Sequence, residues 1–312
     1  MLTNSTVKSD LSENIDWGVG NVSDADFYVW LIFVAISCIG LPGNILVILC
    51  FLFSPHLRKW KENTKMASYI ISLGIVDFLT CVNLTALYVF GSLTAKYMNK
   101  NIPCKIFGSM YFYEGMAITS SWHIVVVALE RYLAICKPLY HRIKLTKCKI
   151  FFLICLCYFF GFGTVNIHVP MLFYIDESGT CTTSFFDQDI RFQKIEATLF
   201  FVVLSLAPSL VIVALYFEII RKLRQATKGS QINKASFKVV KTSIVIFIAF
   251  VVCNYPTAFF WMWDICWENP IDFSGWFWQA LMVMMSMSAC LNPVIYAFSI
   301  PEFRKAILKG FY

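Results

Sequence analysis

In the stretch ALERYLAICKPLYHR an acid and a base, Glu130 and Arg131, stand side by side ahead of Tyr132, at the end of a run from Ile124 to Leu129 that carries no charge. A guanidinium in that setting is costly unless it is paired or at work, and polar groups at bilayer depth are functional candidates. Asn44, Asp77, Glu114, Ser120, Asn254 and Asn292 are placed in the same way, inside apolar runs. Bond-making chemistry is not indicated. There is no HExxH zinc motif, no GxSxG elbow and no pair of catalytic carboxylates, and His56, His123, His141 and His168 are dispersed over separate segments, so no metal cluster is expected. What remains is charge pairing and ion or proton binding. Asp77 reads either as a protonated or hydrogen-bonded structural carboxyl, or as an ion or proton site shared with Asn44, Ser120 and Asn292 once the helices assemble. A sodium ion is the candidate there, and no cofactor is called for. Arg131 reads either as an interfacial arginine snorkelling to lipid phosphate or as half of a working pair.

The elements that hold these residues are apolar helices. Of 312 residues 58% are hydrophobic and only 14% charged, where a soluble domain carries about a quarter charged. Seven apolar tracts, Tyr28–Phe53, Met66–Gly91, Phe107–Leu129, Ile150–Phe173, Ala197–Phe217, Thr242–Met262 and Gly275–Ile300, are near or above the ~20 residues that cross roughly 30 Å of hydrocarbon. The fourth is blurred at its outer boundary near Pro170. The fold class expected is all-α: a seven-transmembrane helix bundle over residues 28–300, after an outer tail of residues 1–27. Residues 301–312 follow as a short amphipathic helix on the membrane surface, with Phe303, Ile307, Leu308 and Phe311 set against Arg304, Lys305 and Lys309.

Most of the 26 lysines and arginines fall in loops on one side, which puts the N-terminus outside and the basic face in the cytosol. A multi-pass plasma-membrane protein follows. The net charge of +7 is then a basic inner surface suited to anionic membrane lipid and an acidic intracellular partner, and nucleic acid explains it poorly. Asn4 and Asn21 are glycosylation acceptors in the outer tail; Asn83, inside the second helix, is not one. Three of the 12 cysteines lie outside. A Cys104–Cys181 bridge would pin the longest outer loop to the bundle and leave Cys266 over.

Pro208, Pro256 and Pro293 interrupt the last three crossings, each removing a backbone hydrogen bond and inviting a kink. Together with GNILV at Asn44, SLGIVD at Asp77, LERYLAI at Arg131, Tyr216 eight residues beyond Pro208, Phe250 with Cys253 and Pro256, and NPVIY with Asn292, Pro293 and Tyr296, they make the chain resemble a rhodopsin-like G-protein-coupled receptor over residues 28–311. The resemblance implies that Arg131 is held by Glu130 at rest. On activation the sixth helix swings out and the arginine becomes available to a heterotrimeric G protein, helped by the hydroxyls of Tyr216 and Tyr296. That is a bistable element biased by a ligand, with no bond chemistry.

The resemblance places a ligand chamber at the outer end, between helices three, five, six and seven. Counting back from Arg131, the position where amine receptors keep an acid holds Tyr113, with Glu114 next. Trp261, Gln279 and Met282 are the other lining candidates, while most of the tryptophans nearby read as an interfacial belt. The acidic outer rim favours a peptide or another cationic ligand, with a lipid ligand as the alternative. A retinal Schiff base is excluded in the last two helices, since no lysine occurs from Thr242 to Phe303. The chain departs from the family in three ways. Asn254 stands where a tryptophan is usual, the fourth helix has Tyr158–Phe160 in place of its tryptophan, and the interval from Cys104 to Arg131 is about two residues longer than usual. A transporter or channel built around Asp77 would show repeat symmetry or paired broken helices, and none is visible.

Overall fold

The computed structural model describes residues 24–57, 65–89, 100–177, 179, 181–226, 234–269 and 275–309. The tail with Asn4 and Asn21, and Phe311, lie outside the described residues. The helices are α1 (Asp24–Phe53), α2 (Met66–Leu84, continued by a π-helical turn Thr85–Val89), α3 (Tyr111–Cys136) and α4 (Lys147–Phe162). They are followed by α5 (Ile190–Gln225), α6 (Lys234–Trp267), α7 (Trp276–Ser299) and α8 (Pro301–Lys309). A two-stranded antiparallel hairpin, β1 (Phe173–Ile175) with β2 (Cys181–Thr183), lies between α4 and α5 and sets Ile175 opposite Cys181.

Among the described residues six helices are long and apolar enough to cross a membrane, and α4 taken with the short helix Pro138–Lys144, bent 96° from it, brings the number to seven. The fourth crossing is shorter than its apolar tract. Thr146 caps its start by accepting from the Lys149 N–H, and the helix stops at Phe162, ahead of Gly163 and a 3-10 turn at Val165–His168. α5 and α6 both run beyond their apolar tracts at each end, as the short loop between them requires. α3 is the central helix, packed on α2, α4, α5 and α6, while α1 closes against α2 and α7.

In hydrocarbon a backbone carbonyl that loses its helical partner must find another, and the prolines show how this chain meets that demand. Pro208 has no N–H to offer the Leu204 carbonyl four residues back. Just before it, Val202–Leu206 forms a π-helical turn in which the Ala207 N–H passes over Val203 and donates to Val202. Both orphaned carbonyls are answered from α3. Ser121 Oγ donates to Leu204 O at 2.7 Å, and Trp122 Nε1 donates to Val203 O at 3.2 Å. Phe160 of α4 stacks on the Trp122 ring at 4.0 Å and holds it in that pose. Pro293 likewise frees the Ala289 carbonyl, and Asn44 Nδ2 of α1 donates to it at 2.9 Å. Asn44 reaches that far because α1 comes close: a Cβ on Gly43 would meet the Pro293 ring at 3.1 Å.

Exposed phenylalanines such as Phe298, 79% accessible, cover the outside of the bundle, as lipid contact allows. α8 turns its apolar side inward: Phe303 stacks on Phe51 at 5.8 Å and meets Tyr296 edge-on at 6.2 Å, with Arg304 and Lys305 exposed. Replacing Trp122 by Phe keeps an aromatic face toward Phe160 but deletes the N–H and the five-membered ring. The loss should be about 2 kcal/mol, from a buried carbonyl left unpaired and a smaller ring, read as a Tm several degrees lower for the purified protein in detergent, with Ser121→Ala adding to it.

Candidate functional site

Three polar constellations lie along α3, and they are named here by their ends: the arginine end, the middle, and the disulfide end. At the arginine end Arg131 Nη2 lies 2.5 Å from Glu130 Oε2, with the two residues only 5% and 1% exposed. The acid has two further holders. Its Oε1 accepts from His141 Nε2 at 3.0 Å and from the Lys65 backbone N–H at 3.3 Å. The Lys65 ammonium in turn donates to the carbonyls of His141, Arg142 and Leu145. These carbonyls lie at the C-terminal end of the helix Pro138–Lys144, where orphan acceptors and the helix dipole favour a cation. The base is less well served: its Nη2 is spent on Glu130, and its Nε makes no hydrogen bond among the described residues. Tyr216 sits beside Ser243 and within electrostatic reach of Arg131, while Tyr296 is packed on Phe51 and Phe303. Tyr132 faces away, with Lys137 Nζ 6.0 Å from its ring. In this arrangement the arginine is on its acid, and neither tyrosine hydroxyl has taken it.

In the middle, Asp77 is buried. Asn292 Nδ2 donates to its Oδ2 at 2.7 Å and Ser120 Oγ donates to its Oδ1 at 3.5 Å. Ser120 and Asn292 also border a small cavity with Ile124, Ile246, Phe250 and Ser288. Asn44, grouped with these by sequence, hydrogen-bonds to the carbonyls of Gly40 and Ala289 instead of to Asp77. It positions α7 beside the carboxylate. Asn254 is fully buried and turns its Nδ2 back to Phe250 O at 3.1 Å, within α6.

At the disulfide end Cys104 and Cys181 are bonded, tying the hairpin to the start of α3. Cys104–Gly108 forms a π-helical turn and Met110 adopts a left-handed φ of 59°, so that α3 proper starts at Tyr111. From α3, Tyr113 Oη lies 3.2 Å from Ser286 Oγ of α7. Glu114, one residue on, comes within electrostatic reach of Glu196 on α5, and His168 Nε2 lies 3.7 Å from Glu196 Oε1. Trp261 of α6 packs against Phe185, just after the hairpin, at 5.7 Å and against Trp278 edge-on at 6.2 Å. Met282 packs into the adjoining core, and its carbonyl accepts from Ser286 Oγ at 2.7 Å. Gln279 is half-buried one turn closer to the end of α7.

Residues 43–296 match the family described as 7 transmembrane receptor (rhodopsin family). The chain belongs to that family. Among curated proteins it is 24% identical over 316 residues to a melanopsin-A of Danio rerio, covering 91% of this chain and 50% of the melanopsin. Human trace amine-associated receptor 2 is 27% identical over 281 residues (85% of this chain, 76% of that protein), and galanin receptor 2b of Danio rerio is 26% identical over 309 residues (93% and 76%). The chain thus spans half the length of the melanopsin and about three quarters of the other two. These are receptors, not enzymes.

Several residues that serve the receptor's sites were not singled out in the sequence. His123 is fully buried. Its Nδ1 lies 2.8 Å from the Thr119 carbonyl, which can only accept, so this nitrogen carries the proton; in the neutral ring Nε2 then accepts from Ser72 Oγ at 2.8 Å. Tyr158 meets it edge-on at 5.7 Å, so His123 and Tyr158 link α2, α3 and α4 where the family's tryptophan is missing. Glu196 stands one residue ahead of the apolar tract that starts at Ala197, so nothing in the sequence marks it; with α5 beginning at Ile190 it is 8% exposed and faces inward. His141 and Lys65 gave no signal beyond a basic loop.

Because Asn292 faces Asp77 at 2.7 Å, exchanging the pair should largely restore what either single change removes. Asp77→Asn leaves two amides opposed, while Asp77→Asn with Asn292→Asp re-forms an acid–amide bond. A double-mutant cycle on thermal stability should show coupling of about 1 kcal/mol; purely additive losses would exclude a direct bond.

Proposed function

We propose that this receptor couples an extracellular ligand to a heterotrimeric G protein, with the disulfide end outside the cell and the arginine end in the cytosol. The basic loops at the arginine end support that orientation. The observation that carries the reading is the buried Glu130–Arg131 pair with its unequal support. When Arg131 leaves, Glu130 keeps the His141 ring and the Lys65 N–H, so no buried carboxylate is stranded. Arg131 has an unused donor, Nε, and a phenol nearby. Release of the arginine toward Tyr216 and an incoming acceptor is therefore a change between two supported states. An outward swing of α6 would uncover it.

The ligand class we propose is a cation, an amine or a basic peptide. Glu114 and Glu196 present two carboxylates across the chamber between α3 and α5, and a positive group between them would relieve their mutual repulsion. One relative is named for trace amines, which is in keeping with this. The middle constellation suits a sodium ion: the Asp77 carboxylate and the Ser120 hydroxyl lie together, and Ser120 and Ser288 border a small cavity. Such an ion would supply a positive charge to Asp77 and favour the resting arrangement.

Two outcomes are expected. Arg131→Ala should reduce nucleotide exchange on a co-reconstituted G protein to background, and Glu130→Gln should raise ligand-free exchange several-fold, with surface expression of both retained; wild-type exchange by Arg131→Ala would refute the mechanism. In a thermal-shift screen of purified receptor, cationic amines and peptides should stabilise the wild type, and Glu114→Gln should weaken their apparent affinity about tenfold or more. Stabilisation by neutral or anionic compounds alone would refute the ligand class.

A further inference from the structure

The ends of α6 and α7 on the disulfide side carry a feature that the ligand chamber does not use. Phe260, Trp263 and Asp264 of α6 face Trp276, Phe277 and Trp278 of α7 across a cleft closed at one end by Gly275. Phe260 and Phe277 meet edge-on at 5.0 Å, and Trp267 stacks on Trp263 at 4.1 Å and stiffens that wall. Among the described residues Asp264 supplies the one charged side chain in the lining. Asn269 Nδ2 donates to its Oδ1 at 3.3 Å, and the carboxylate has no ion-pair partner among the described residues. Lys194, the basic residue nearby on α5, is taken by Glu268 at 2.7 Å.

We propose that this cleft binds the phosphocholine headgroup of a membrane lipid. Five aromatic residues line the cleft beside one carboxylate, and aromatic rings and negative charge both attract a cation. Besides Asp264 the lining offers no side-chain acceptor among the described residues. A primary ammonium would bring three N–H donors and leave some of them unmet on desolvation; a trimethylammonium brings none. The depth of the cleft selects a lipid over a solute. α6 ends at Trp267 and α7 begins at Trp276, two tryptophans that are 60% and 78% exposed, as side chains at the headgroup level are. Below the cleft, Ile248 and Val252 of α6 are more than half exposed on the surface where acyl chains run. The lipid headgroup bridges α6 to α7 at the end opposite the arginine.

The test uses the full-length receptor, delipidated in a maltoside detergent and titrated with phosphatidylcholine, phosphatidylethanolamine or phosphatidylglycerol of identical acyl chains, with adducts read by native mass spectrometry. One phosphatidylcholine should be retained about fivefold or more over the other two. Asp264→Asn and Trp276→Leu should each abolish that preference, while Phe298→Leu, on the lipid face near the arginine end, should keep it. Helical circular dichroism and Tm establish that each variant is folded. Equal retention of the three lipids, an undiminished preference in both cleft variants, or soluble phosphocholine binding as tightly as the lipid would overturn the proposal.

Discussion

A carbonyl oxygen inside hydrocarbon has no water to turn to, and this bundle is arranged around that fact. Each kinking proline in α5 and α7 leaves an acceptor bare, and a donor on another helix answers it: Ser121 and Trp122 for α5, Asn44 for α7. Such bonds set register. Asn44 can meet Ala289 only if α1 lies one glycine's width from Pro293, which Gly43 permits. The proline sites are thus joints between helices, and their geometry carries Asp77, Asn292 and Arg131 into place.

Charge obeys a similar rule at the arginine end. A buried ion pair is held by the cost of breaking it, since removing one partner strands the other. Here that cost is unequal, because Glu130 is supported from three segments and Arg131 from one. The pair can therefore open on one side without exposing an uncompensated acid. The ammonium of Lys65, on the carbonyls that end the helix Pro138–Lys144, keeps that support in place while the arginine moves. Tyr296 waits in the aromatic contact between α7 and α8, away from Arg131.

At the disulfide end the chain enters α3 through a π-helical turn and a left-handed Met110. Met110 is a strained non-glycine residue just ahead of Tyr113 and Glu114. Phe185, set just beyond the tethered hairpin, then packs on Trp261, which joins the loop to the helix expected to move.

By itself the sequence determined the class of the protein. Apolar runs of membrane length, the placing of Lys and Arg, and isolated polar residues such as Asp77 and Arg131 are local properties of the chain, and each carries its reason within a few residues. The pairing of Glu130 with Arg131, neighbours in the chain, followed from the resemblance, and the Cys104–Cys181 bridge, 77 positions apart, from the few cysteines left on the outer side. Tertiary structure alone decided the partners. Asn44 belongs to a backbone carbonyl 245 positions away, His123 to Ser72, and Glu196 to the interior beside His168 once α5 begins about two turns before its apolar run. Apolarity shows where a helix meets lipid, but it cannot show which side chain another helix will bring to an unsatisfied group, because that depends on rotation and register fixed only when the helices pack.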